Sequence, residues 1–152
     1  MHLATYVGLL ESGSRTLADS YRQVAEGHSA EVDVAHLCRQ LASQCDDHCR
    51  RLTPVAERYG DHPDGEPERL HAEGLDQTRS GGLGLVRDLH DLYLLACYLD
   101  MAWTVVGQAA KGARDQELNG LVDDCAADIK GQLSWLTTRM KAAAVQALLA
   151  AD

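Results

Sequence analysis

The chain has 152 residues, 45% of them hydrophobic and 24% charged, with a net charge of -9 and five cysteines. That length and composition describe one globular domain with a single sizeable core. The acidic balance, with no run of Lys/Arg, argues against a nucleic-acid partner or an anionic-membrane patch.

The first predicted helix runs from about His2 to Glu26. Leu3, Val7, Leu10, Ser14, Leu17, Tyr21 and Val24 alternate steps of four and three, which is the stripe of a helix packed into a bundle. Glu11 and Arg15 break this segment too early for a secretory leader. Gly27 is placed to end it. A second helix is expected from about Ala30 to Tyr59, with Val34, Leu37, Leu41, Gln44, His48, Leu52 and Val55 on the same beat. Pro54 is expected to kink or break it, and Gly60 to close it.

Residues 61–82 form a polar, Pro/Gly-punctuated connection, in which Glu66–Leu70 opens at most one short helix. A third helix is expected from about Leu83 to Ala110, with Leu85, Leu89, Leu92, Ala96, Leu99, Trp103 and Val106 on the beat. The fourth runs from about Asp115 to Leu149, with Leu118, Val122, Cys125, Ile129, Leu133, Leu136 and Met140. No stretch reaches the roughly 18 uninterrupted apolar residues of a membrane span, so no membrane insertion is expected. A cytoplasmic location is the default, and the odd cysteine count reads as reduced thiols.

Short turns near Gly27 and Gly112 make two antiparallel hairpins, and a connection over about 60–82 is long enough to cross between them. The expected class is therefore all-α: a single four-helix bundle domain over 1–152. In this topology the chain resembles the ferritin-like superfamily, whose helices supply a Glu and a Glu-x-x-His from each pair to hold two metal ions. The resemblance places Glu11 opposite Cys45-Asp46-Asp47-His48. Cys45 stands where the family has Glu, and the second hairpin offers Asp91, Asp100, Asp124 and Asp128 but no His at the matching positions.

The resemblance thus implies a bundle whose di-metal carboxylate set is incomplete. Glu11, Cys45 and His48, with Asp124 as a candidate fourth ligand, make up a partial metal site that iron, zinc or copper would fit, and Cys38, Cys45, His48 and Cys49 offer a soft-ligand column on one helix for zinc or copper(I). Cys38, Cys45 and Cys49 also read as small apolar filler. His28, His36, His62, His71 and His90 fall off the beat and are expected at the surface or at caps. No phosphate loop, dinucleotide fingerprint or serine-hydrolase elbow is present. The expected function is a non-catalytic homodimeric or partner-binding module without a resident cofactor, Trp103 and Trp135 leaving an apolar strip for pairing. The alternative is metal binding or redox chemistry at the partial site.

Overall fold

The computed structural model describes residues 2–60 and 73–150, and the short helix expected at Glu66–Leu70, with His62 and His71, lies outside them. The described residues form four long helices and no strand: α1 His2–Gly27, α2 Val32–Tyr59, α3 Gly81–Gly112 and α4 Gln116–Val145. A π-helical turn over Gln146–Ala150 replaces the end expected for α4.

Helix formation follows the stripes. In α1, Val7, Leu10, Ser14, Leu17, Tyr21 and Val24 are all fully buried, and in α3 all seven beat residues from Leu85 to Val106 are buried. α2 continues through Pro54 to Tyr59 as one helix, so of the kink or break expected there no break occurs. Pro54 has no N–H for the carbonyl of Arg50, but both residues are exposed, so the helix leaves no polar group stranded in the core there. Gly60 then takes a left-handed φ of 84° that ends the helix.

α4 begins on a made cap. The Asp115 carboxylate accepts the Leu118 N–H at 3.0 Å and the Tyr59 hydroxyl at 2.5 Å, so one side chain both starts α4 and ties it to the end of α2. Arg58 adds an ion pair to the same carboxylate at 3.0 Å.

The core runs the length of the four helices, with Trp103 and Tyr21 its largest fully buried side chains. α1 packs mainly on α2 and α3 mainly on α4, and α1 also touches α3. The α1–α3 approach is close at Gly13, where a Cβ would lie 2.7 Å from Leu99 Cδ2. At the end where α1 finishes, Gly27 lies against Thr78, Gly74 lies against Thr16 and Ser20, and Ser20 Oγ accepts the Leu75 N–H at 3.4 Å.

One expectation about the buried seam is corrected. On α4 the alternation of three and four residues runs Leu118, Val122, Cys125, Ile129, Gln132, Leu136, so Gln132 is fully buried and Leu133 only packs at the margin.

Candidate functional site

The four residues expected to form a partial metal site go to four different partners. The Glu11 carboxylate pairs with Arg15 at 3.4 Å on the outside of α1. Asp124, with 63% of its side chain exposed, pairs with Arg51 at 2.7 Å. Cys45 is fully buried, with the Gln132 side-chain amide nitrogen 3.6 Å from its sulfur. His48 is fully buried, and its Nε2–H donates to Asp128 Oδ2 at 2.9 Å. Among the described residues, no three His, Cys, Asp or Glu side chains come together as an ion would require.

Burial favours the protonated form of the thiols on α2. Burial pushes Cys38 and Cys45 up to about 12, and the half-buried Cys49 is also raised by burial. Cys125 on α4 is likewise pushed up to about 12 by burial. Protonated and buried, such thiols pack as small apolar groups.

The centre of the bundle is a hydrogen-bonded polar knot. Tyr21 on α1 donates its hydroxyl to Gln132 Oε1 at 2.9 Å, and Gln132 Nε2 donates to Gln44 Oε1 on α2 at 2.9 Å. Burial, then the neighbouring Cys45 and Cys38, raise the Tyr21 hydroxyl well above its ordinary value, so it stays a donor. Nearby, the His48 ring meets the Trp103 ring edge to face, with centroids 6.0 Å apart. With Nε2 engaged by Asp128, Nδ1 is the ring nitrogen that remains. His48 Nδ1, Trp103 Nε1, Ser14 Oγ and Asp100 Oδ1 are buried with no hydrogen-bond partner among the described residues.

A second buried cluster involves His28, expected at the surface or at a cap, which directly follows α1 and sends its backbone N–H to the Val24 carbonyl at 3.0 Å. His28 is only 7% exposed and donates to Asp88 Oδ2 at 2.7 Å. Asp88 is fully buried on α3 and also accepts the Arg79 backbone N–H at 2.9 Å and its guanidinium at 2.7 Å. Arg79 reaches Asp91 as well, at 2.8 Å. This cluster fastens the turn after α1 and the segment before α3 to one carboxylate. Its only trace in the sequence is an acidic residue beside Leu89 on the apolar beat of α3.

The exterior of α3 differs from that of the other helices. Among the described residues the large apolar side chains that stand well exposed are Leu83, Leu94, Met101 and Val105 on α3, Val145, Leu148 and Leu149 at the end of α4 and in the turn after it, and Val32 on α2. α3 is long and apolar enough to cross a membrane by length and composition, although 44% of the window concerned is buried against the bundle. Trp103 faces inward and is fully buried, so it gives no surface strip, and Trp135 is half-buried against the core. An open cleft of about 1110 Å³ lies between the segment before α3 and that helix, lined among others by Arg79, Leu83, Arg87, Leu94 and Tyr98. The chain has no match among known protein-family models, curated proteins or solved structures.

Proposed function

We propose that this chain is a ferritin-like four-helix bundle, two antiparallel hairpins joined by a crossover, that acts in the cytoplasm as a non-catalytic homodimeric module. The topology rests on the order of the contacts. Partners from α2 and α4 fall in number on one helix as they rise on the other: Tyr59 with Asp115, His48 with Asp128, Gln44 with Gln132 and Asp33 with Arg139. His28 with Asp88, and Gly13 with Leu99, give α1 and α3 the same opposed sense. The connection then leaves α2 beside the start of α4 and reaches α3 beside the end of α1, a crossover along the bundle.

The observation that carries the functional reading is the outer face of α3, where exposed apolar residues gather on a strongly acidic chain. Inside the bundle, Tyr21, Gln44 and Gln132 are bonded to one another, the kind of polar core contact that sets helix register. Sedimentation at micromolar concentration tests the reading: a mass twice the 16.5 kDa of the chain is expected, and a monomer overturns it.

A second reading has one observation in its favour. His48 Nδ1 is buried and unpartnered, as a ligand nitrogen would be before its ion arrives. Elemental analysis of protein purified without chelator, beside His48→Ala, decides it. Stoichiometric iron, zinc or copper that disappears in the variant would restore the metal or redox site built on Glu11, Cys45 and His48.

A further inference from the structure

We propose that the outward face of α3 is the surface on which two copies of this chain pair, antiparallel about a two-fold axis beside Cys97 and Tyr98. The proposal rests on the homodimeric reading above and names its surface and register.

Charge selects the face. Two copies carrying -9 each repel one another, so the surfaces that meet must be those that bring the least charge together. Between Asp91 and Lys111, a helical length of about 28 Å, the only charged residue is Asp100, which is half-buried. The exposed sides of the other helices carry charges in quantity: Arg15, Asp19 and Arg22 on α1, Asp46 and Arg50 on α2, Asp123, Asp124 and Lys130 on α4.

Spacing selects a helix as the occupant. Leu94 (57% exposed), Met101 (62%) and Val105 (41%) follow steps of seven and four, with Gln108 three further on and half-buried Cys97 and Tyr98 between them. That is the seam of one helix lying along another.

Symmetry selects a second copy of α3 and its direction. Turned about an axis between Cys97 and Tyr98, the stripe is its own complement: Leu94 meets the partner's Met101, His90 meets the partner's Val105, and Arg87 meets the partner's Gln108. Leu94 and Met101 meet as apolar groups on both sides of the axis, Val105 packs against the His90 ring, and no like charges coincide. A parallel pairing would instead set Arg87 against its own copy and align the two helix dipoles, both unfavourable. The antiparallel arrangement closes on itself, so assembly stops at two.

The test combines sedimentation with a thiol cross-link. Unmutated protein at about 20 μM should sediment as a dimer, and Met101→Asp should weaken pairing by at least about 100-fold, since each dimer would bury two unpaired carboxylates against apolar neighbours. Circular dichroism should show unchanged helix content, and Val105→Lys serves as the independent variant should Met101→Asp fold poorly. A short bis-maleimide should link the two chains through Cys97, with the product lost in Cys97→Ser. Variants that remain dimeric, without a Cys97 link, would place the dimer on another face and refute this proposal while leaving the homodimer intact. An unmutated monomer would remove both. A monomer that floats with neutral phosphatidylcholine vesicles, and no longer does so as Met101→Asp, would overturn the pairing in favour of a lipid surface.

Discussion

His48 on α2 and Asp128 on α4 meet at 2.9 Å across the bundle, the histidine with no exposure and the carboxylate with 39% of its side chain in solvent. The pair couples a buried ring to an acid that water can still reach. Removing the acid strands the ring, since Nδ1 already lacks a partner. Asp128→Ala should therefore cost about 1–3 kcal/mol in urea unfolding. Asp124→Ala, four residues away in an exposed pair with Arg51, should cost under about 1 kcal/mol. Equal losses for the two variants would mean that the histidine does not depend on Asp128.

Alkaline pH should unfold the bundle through its thiols. Cys38, Cys45 and Cys125 are pushed up to about 12 by burial, against about 8.5 in an unfolded chain. For such raised groups the stabilising difference is fully present below the unfolded value and is lost as pH rises through the folded one. Stability should hold to about pH 8 and then fall by up to about 1.4 kcal/mol per pH unit for each thiol. Replacing Cys38 and Cys125 with Ala should flatten the decline when denaturant midpoints are compared from pH 7 to 10.5. A decline of unchanged steepness would assign it to other groups.

Acid acts on a different residue. The Leu118 N–H and the Tyr59 hydroxyl hold the Asp115 carboxyl below the usual carboxylate range. A lowered group contributes its stability above the unfolded value, about 3.9, and loses it as pH falls through the folded one. Asp115→Ala should cost about 1–2 kcal/mol at pH 7, as for a lost helix cap, with the difference from unmutated protein shrinking below about pH 4. A gap that persisted at pH 2.5 would assign the loss to packing.

Two glycines on the outside of α4 have space around them. A Cβ at Gly120 or Gly131 would meet nothing within 4 Å, and both positions are helical. Ala at either should raise stability by about 0.5–1 kcal/mol in thermal unfolding. Gly107→Ala should not share this gain, because its Cβ would lie 2.9 Å from Val122 Cγ1.

The helices were legible because a packed helix repeats its apolar contacts every three or four residues, and the stripes from Val7 to Val24 and from Leu85 to Val106 have no competing period. Gln132 was missed because it is polar, although the strict alternation through Ile129 and Leu136 lands on it. His28 and Asp88 could not be paired in advance. They stand 60 residues apart, and only the docking of α3 against the turn after α1 brings them to 2.7 Å. Glu11 and Asp124 each have an arginine within reach, and a solvated ion pair costs less than turning the carboxylate inward, a local pairing that the apolar beat does not encode.

The apolar face of α3 was obscured for the opposite reason. Leu94, Met101 and Val105 sit among so many core residues of the same helix that the amphipathic contrast fades, and only the fold separates the inward set from the outward one. Trp103, which drew attention as an interface residue, belongs to the inward set.

Native mass spectrometry of unmutated protein, prepared without chelator, reads the two halves of the account at once. A species with twice the 16.5 kDa chain mass and no metal adduct is the expected result. A single chain carrying one equivalent of iron, zinc or copper would contradict it, leaving His48 a ligand and the face of α3 without a partner copy.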